Sequence, residues 1–62
     1  MEYKKSLVGA KIKTNSDTFI ILEDSHPELE YGWMVALSER YGIKYSGYRC
    51  VFLDGATDVK ES

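Results

Sequence analysis

The strongest constraint on the fold is a pair of short segments near the start of the chain that together have the pattern of a β-hairpin. Residues 8–14 alternate small or apolar side chains at positions 8, 10 and 12 with lysines at 11 and 13, the period of two expected of a half-buried strand. Residues 15–17, Asn-Ser-Asp, supply turn chemistry, and residues 18–23 are β-branched and apolar on both faces. The three segments predict a hairpin.

The register of this hairpin has two alternatives that differ in the length of the loop. A three-residue loop sets Ile12 opposite Ile20, whereas a two-residue loop sets Ile12 opposite Phe19. Because successive side chains of a strand point to opposite faces, the choice decides which apolar side chains share a face with Ile12.

The middle of the chain, residues 26–41, has several features of a helix. Ser25 and Glu28 have the spacing of a capping box, and Arg40 suits the C-terminal end of the helix dipole. Against a helix, Gly32 would lie in its interior at a cost of ~1 kcal/mol. Arg40 would also fall on the apolar face of the helical wheel. A helix here remains an alternative.

The same region is also compatible with a strand. Residues 33–37 form a continuous apolar run with Trp33, Val35 and Leu37 on one face, and residues 24–32 would then be a long polar loop. We expect that face to lie in the core. The fold class depends on which of the two interpretations holds.

The end of the chain is predicted to be β-structure. Residues 48–53 have the composition of a strand, bounded by Ser-Gly before and Asp-Gly after. Residues 43–45 form a short strand ahead of it, and residues 57–59 a last piece that closes the sheet.

Under the strand interpretation the chain is mainly β. A hairpin, a long loop, a central strand with Trp33 and a strong strand near the end resemble the layout of an SH3-like small β-barrel in strand order and length. We therefore expect an SH3-like small β-barrel or a strongly bent antiparallel sheet. The alternative is an α+β fold, ββαβ, with one helix around residues 26–41. In either case 62 residues form a single domain, 1–62, with residues 1–5 and 58–62 frayed.

Residues 31–48 hold a dense set of aromatic side chains interleaved with glycines. The rings are Tyr31, Trp33, Tyr41, Tyr45 and Tyr48. Tyrosine joins an apolar ring to a polar hydroxyl, so it suits surfaces that are partly core and partly contact. Trp33 and Tyr48 fall on predicted strands, Tyr48 on one face with Cys50 and Phe52, so we expect both to be structural. The candidate contact rings are then those on loops or loop edges, Tyr31, Tyr41 and Tyr45.

Catalytic and metal-binding patterns are absent from the sequence. Cys50 is the only cysteine and His26 the only histidine, and they lie 24 positions apart. No internal disulfide is therefore available, and no metal site is indicated. We expect no enzyme activity, no metal and no cofactor. With no disulfide or metal to stabilise so short a chain, a homodimer is expected as an alternative means of stabilisation.

The apolar segments are too short for a membrane span. The longest runs, residues 19–22, 33–37 and 50–53, have four or five residues, far below the ~20 that cross a bilayer. The first residues include two lysines with no apolar segment after them, so we expect no secretion signal. With one free cysteine, the expected location is the cytoplasm, without membrane contact.

These features predict a small non-catalytic protein-interaction module. Tyr, Trp and Arg are enriched at the hot spots of protein interfaces. The predicted contact residues are Tyr31, Tyr41 and Tyr45, with Arg40 and Arg49 orienting the partner. We expect the partner to be a larger host or cognate protein, bound by an accessory or inhibitory protein whose small size suggests a phage or mobile-element origin.

Nucleic-acid binding is the alternative function. Bases would stack on the exposed tyrosines, and phosphates would meet a set of cations. These are Lys4, Lys5, Lys11, Lys13, Lys44 and Arg49. The net charge of −2, with five carboxylates and no Lys or Arg in residues 17–30, makes this partner the less favoured one.

Overall fold

The fold is one antiparallel sheet with one short helix. The computed structural model describes residues 5–61, which form β1 (Lys11–Thr14), β2 (Thr18–Asp24), β3 (Trp33–Ser38), β4 (Lys44–Tyr48), α1 (Arg49–Asp54) and β5 (Ala56–Lys60). The strands lie in the order β4, β3, β2, β1, β5, and each neighbouring pair is antiparallel. The predicted mainly β fold class is confirmed.

Two register shifts bend the sheet. One lies between Lys13 and Thr14, where β1 pairs with β5, and the other lies between Ile21 and Glu23, where β2 pairs with β3. An extra residue in one strand bends it and increases its local twist. In residues 5–61, β4 and β5 are the two edges of the sheet and do not pair with each other. The sheet is therefore bent and open, the second of the two predicted forms.

The β1–β2 hairpin has the shorter of the two predicted loops. Ile12 lies opposite Phe19 and Lys13 opposite Thr18. The backbone N–H of Thr14 donates to the carbonyl of Asp17 at 2.8 Å, which closes a two-residue loop. The first strand is shorter than predicted, since it begins at Lys11. The chain before it turns at Gly9, whose φ of 86° is a conformation that glycine adopts without steric cost.

The helix predicted as an alternative over residues 26–41 is wrong. Residues 33–38 form an interior strand of the sheet, where β3 pairs with both β2 and β4. The loop before β3 is a series of tight turns, in which the N–H of Leu29 donates to His26 and the N–H of Gly32 donates to Leu29. Pairing on both sides gives the backbone of β3 the hydrogen bonds that a helix would otherwise have supplied.

The predicted orientation of β3 is also wrong. Met34, Ala36 and Ser38 are fully buried, whereas Trp33 is 47% exposed. Ala36 lies opposite Ile21, which is itself in the core. Because side chains alternate along a strand, this register sends Trp33, Val35 and Leu37 to the other face.

Residues 49–53, predicted to continue a strand, form the helix α1 instead. The predicted short strand at 43–45 is longer, since β4 runs to Tyr48. The chain then crosses from β4 at one edge of the sheet to β5 at the other, and a helix makes this crossing. The predicted last piece around 57–59 is confirmed as β5, which pairs with β1.

The core lies on the face of the sheet against which α1 packs. It consists of Leu7, Ala10, Ile12, Ile21, Met34, Ala36 and Leu53, with Phe19, Phe52, Ala56 and Val59 packed against it. Two of its seven buried hydrophobic side chains are alanines. The domain is therefore held by a small apolar core.

The predicted fraying of residues 1–5 and 58–62 falls partly on residues 1–4 and 62, which lie outside the described residues. Residues 58–60 form the last part of β5. Within residues 5–61, no helix is long and apolar enough to cross a membrane.

Candidate contact surface on the outer face of the sheet

The strand register divides the side chains of the sheet between two faces. Phe19, Ile21 and Ala36 point to the inner face, which carries the core. The opposite set forms what we call the outer face. Across it, Ile20 lies opposite Leu37 in the neighbouring strand. The helix α1 packs on the inner face through Phe52 and Leu53, so in the described part of the chain it does not cover the outer face.

Three aromatic rings form a cluster at one end of the outer face. Trp33 lies directly opposite Tyr48, with ring centroids 5.5 Å apart and ring planes at 89°. Tyr31 packs its ring against Tyr48 at 5.9 Å and 84°. The exposed fractions are 72% for Tyr31, 47% for Trp33 and 49% for Tyr48. We call these three residues the aromatic cluster; the rings pack edge to face and remain open to a partner.

Apolar side chains continue from the aromatic cluster along the outer face. Ile20, Val35 and Leu37 are each only partly buried. Leu22, the extra residue of the β2 bulge, is 37% exposed. These side chains extend the apolar surface of the aromatic cluster along β2 and β3.

Lysines flank the apolar side chains in the cross-strand row of Leu37, on the far side of Val35 from the aromatic cluster. Lys11 lies opposite Ile20 and, on its other side, opposite Lys60. Lys44 lies opposite Leu37. All three lysines are exposed, and the Nζ of Lys11 lies 3.5 Å from a carboxylate oxygen of Glu39. We call Lys11, Lys44 and Lys60 the lysine end.

Carboxylates lie toward the other end. Glu28 and Glu30 are exposed in the loop of residues 25–32, which leads into Trp33. Glu23 lies between the two ends, opposite Val35. Lysines therefore predominate near Leu37, where Glu39 and Asp58 offset part of their charge, and exposed carboxylates lie in the loop beside the aromatic cluster.

The structure separates the three tyrosines that were predicted to act together. Tyr31 belongs to the aromatic cluster. Tyr41 lies in the loop between β3 and β4 with the guanidinium of Arg40 5.1 Å from its ring centroid. Tyr45 is on the inner side, packed edge to face against Phe19 at 5.8 Å. Of this set, only Tyr31 lies in the aromatic cluster.

Arg49, the second predicted arginine, is in the interior. Its side chain is 5% exposed and its Nε lies 3.3 Å from an oxygen of Asp24, whose side chain is fully buried. The Arg49 Nη2 donates to the carbonyl of Lys5 at 3.2 Å, and Asp24 accepts the N–H of Leu7 at 2.9 Å. This ion pair ties residues 5–7 to the end of β2 and the start of α1, so Arg49 is not available to orient a partner.

Trp33 and Tyr48 were assigned to the core from the sequence, and the structure places both on the outer face. The misleading residue is Ser38, because it makes the Met34, Ala36 and Ser38 side of β3 look less apolar than the side with Trp33. Ser38 is nevertheless buried, with its hydroxyl donating to Asp17 and accepting the N–H of Tyr41. A buried serine with both bonds satisfied costs little.

Asp17 joins the loop between β1 and β2 to the loop between β3 and β4. It accepts the hydroxyl of Ser38, and its Oδ1 accepts the N–H groups of Thr18 at 2.7 Å and Arg40 at 3.0 Å. The bond from Ser38 is the main reason that the pKa of Asp17 lies below its ordinary value, and the bonds from Arg40 and Thr18 act in the same direction.

An apolar cavity opens between β4 and α1, away from the outer face. Its volume is about 260 Å³, and its walls include the rings of Phe19, Tyr45 and Phe52 together with Val51. Thr14 and Ser46 also line it, and none of the described residues around it is charged. The wall of the cavity is therefore mainly apolar.

The remaining candidates for chemistry lie apart from one another. The Nδ1 of His26 is 3.5 Å from a carboxylate oxygen of Glu28, and both side chains are largely exposed. Cys50 is a free thiol of intermediate burial on α1. Within residues 5–61, no group of three or more His, Cys, Asp or Glu side chains is arranged to hold a metal ion.

Comparison of the chain with protein-family models, with curated protein sequences and with solved structures found no match. The function proposed below therefore rests on the geometry of the outer face alone.

Proposed function

We propose that the chain is a small non-catalytic protein-interaction module that binds a larger protein through the outer face of its sheet. The observation that carries this proposal is the exposed aromatic cluster of Tyr31, Trp33 and Tyr48, set beside the partly buried Val35 and Leu37. Large amphipathic rings fixed by packing contribute much binding energy at little cost in conformational entropy.

An accessory or inhibitory role is consistent with the dimensions of the domain. The Cα extents are 28 × 20 × 19 Å, so one side of the domain is large enough to cover a site on another protein. A domain of this kind acts by occupying a surface on a larger partner.

Affinity capture from the lysate of the source cells tests the proposal. The double variant Tyr31→Ala/Tyr48→Ala is compared with Tyr41→Ala, a matched control because Tyr41 is also exposed but lies away from the aromatic cluster. We expect recovery of the larger partner to fall at least about tenfold for the double variant, since interface aromatic residues contribute about 2 kcal/mol or more each. Tyr41→Ala is expected to bind as the wild type does.

Circular dichroism and a urea unfolding curve establish that the double variant is folded. The proposal is overturned when the folded double variant captures its partner as well as the wild type does, or when no larger protein is enriched over a blank matrix. If Tyr41→Ala reduces recovery of the partner as much as the double variant does, the contact is not specific to the aromatic cluster and includes the loop between β3 and β4.

One observation favours nucleic acid as a second candidate partner. Lys60, Lys11 and Lys44 lie in one cross-strand row of the outer face, and the aromatic cluster supplies rings on which bases can stack. Lys4, also named above for this role, lies outside the described residues. Fluorescence anisotropy with a labelled single-stranded oligonucleotide separates the two functions: affinity that falls steeply with salt supports nucleic acid, and an unchanged signal excludes it.

A further inference from the structure

The uncovered outer face and the small core raise the question of what covers Val35 and Leu37 when no larger partner is bound. We propose that a second copy of this chain does so, and that two outer faces pack against each other in a two-fold symmetric dimer. The inference rests on the proposed function, because both require the outer face to be a protein contact.

The charge of the outer face is self-complementary in one arrangement. When two identical faces pack end over end, the lysine end of each copy approaches the acidic loop of the other, which carries Glu28 and Glu30. In the opposite arrangement the lysine ends would meet each other, which is unfavourable for like charges. In an isologous contact each favourable interaction is made two times, once from each copy.

The same arrangement pairs the apolar side chains. Val35 lies midway between Trp33 and Leu37 along β3, so a two-fold axis near Val35 brings Trp33 of one copy against Leu37 of the other. In β4, Ser46 is midway between Tyr48 and Lys44. The ammonium of Lys44 then approaches the Tyr48 ring of the second copy, a cation–π contact.

The available area matches what a stable dimer needs. Standard protein interfaces bury about 800 Å² on each partner, which is about a fifth of the 4153 Å² accessible surface of this domain. One broad side of a body with extents of 28 × 20 × 19 Å is also about a fifth of its surface. A dimer in which the outer face covers one broad side of the domain would therefore bury an area of standard size.

Glu23 is a charged side chain that the arrangement places unfavourably. It lies opposite Val35 on the outer face, and therefore near the two-fold axis, where it approaches Glu23 of the second copy. Removing this charge is expected to strengthen the dimer, whereas a contact made elsewhere on the domain would not respond to it.

The dimer and the complex with a larger protein use the same surface and exclude each other. The fraction of chains with a free outer face therefore falls as the concentration of the chain rises. Self-association would protect the apolar surface until a larger partner displaces the second copy.

Sedimentation equilibrium of the purified full chain tests the dimer. We expect the mass to approach twice the 7.1 kDa of one chain as concentration rises. Val35→Asp is expected to weaken association about a hundredfold or more, because it buries two carboxylates in an apolar contact. Val51→Asp is the matched control, since Val51 is exposed on α1 and away from the outer face.

Two surface substitutions keep the test decisive should Val35→Asp fail to fold. Lys44→Glu is expected to weaken the dimer about a hundredfold, because the two-fold symmetry makes the cation–π contact of about 1.4 kcal/mol twice, and Glu23→Gln is expected to strengthen it. A mass of one chain at every concentration overturns the inference. So does a dimer that neither Lys44→Glu nor Glu23→Gln changes, or one that Val51→Asp abolishes.

Comparison with the capture experiment distinguishes the two proposals. A monomer that still captures a larger protein through the aromatic cluster overturns the dimer and leaves the proposed function standing. A dimer with the expected response to the variants, but with no larger protein captured, supports the inference and overturns the proposed function.

Discussion

At the residue scale, individual backbone and side-chain contacts decide how the loops of this domain are held. Gly32 is the clearest case. It is buried where the chain enters β3, and a Cβ atom built on it would lie well inside van der Waals distance of the carbonyl oxygen of His26. No real Cβ atom approaches backbone so closely, so only glycine allows the turns of residues 25–32 to close ahead of Trp33.

Gly32→Ala is therefore expected to destabilise the domain by about 1 to 3 kcal/mol, the usual cost of forcing extra volume into a packed site. Urea unfolding monitored by circular dichroism measures the loss. Gly55→Ala is the matched control: a Cβ at Gly55 meets nothing within 4 Å and its φ is −90°, so its effect is expected within about 0.5 kcal/mol. Equal stability of the two variants would contradict the close contact at Gly32.

Asp17 gives the stability of the domain a dependence on pH. Its hydrogen bonds, led by the one from Ser38, hold its pKa in the folded state below its ordinary value. A lowered folded pKa means that the stabilisation is fully present above the unfolded pKa, about 3.9, and is lost as the pH falls through the folded pKa. Acid should therefore weaken the hydrogen bonds by which Asp17 joins the β1–β2 loop to the β3–β4 loop.

Asp17→Asn is expected to lower the free energy of unfolding at pH 7 and to flatten its decline below about pH 4. Urea unfolding of the wild type and the variant across pH 2.5 to 7 measures both effects, with Asp58→Asn, an exposed aspartate of β5, as the control. Parallel pH profiles for wild type and Asp17→Asn would show that Asp17 does not contribute in this way.

At the scale of elements, the buried Asp24–Arg49 ion pair joins pieces of chain that local sequence does not connect. Asp24 ends β2 and Arg49 begins α1. Their side chains are 0% and 5% exposed, and the contacts to Lys5 and Leu7 bring the N-terminal segment onto the same point. The position of α1 and of residues 5–7 therefore depends on one pair of charges.

Arg49→Met is expected to cost about 3 to 5 kcal/mol, because it leaves the carboxylate of Asp24 buried without its cation. Replacing both partners, as in Asp24→Asn/Arg49→Met, should recover part of that loss. Urea unfolding of the wild type, Arg49→Met, Asp24→Asn and the double variant gives the coupling energy between the two side chains. Arg40→Met, an exposed arginine, is the control; an equal cost there would mean that burial of the pair is not the cause.

At the scale of the whole molecule, the two faces of the sheet have different roles. The inner face holds a small core, two of whose seven buried hydrophobic side chains are alanines. The outer face keeps Ile20, Val35 and Leu37 only partly buried and presents the aromatic cluster. A domain with so little interior gains stability from any protein that covers the outer face, in proportion to the logarithm of its concentration.

Local sequence patterns were sufficient to predict several elements of this protein. Alternation and turn residues predicted the first hairpin, and local turn chemistry also gave the last strand. The density of rings in residues 31–48 predicted a tyrosine-rich surface, of which Tyr31 is a member. These features depend on residues that are close together in the chain, so they can be predicted from the sequence alone.

Tertiary structure decided which face of β3 is buried and where α1 forms. Ser38 looks polar in the sequence, and only the carboxylate of Asp17, 21 residues away, allows its hydroxyl to be buried. That pairing turns Trp33 outward to meet Tyr48. In the same way, a strand-forming composition after Tyr48 becomes a helix because the chain must cross to the far edge of the sheet. The aromatic cluster therefore follows from contacts between distant residues, which composition and periodicity do not record.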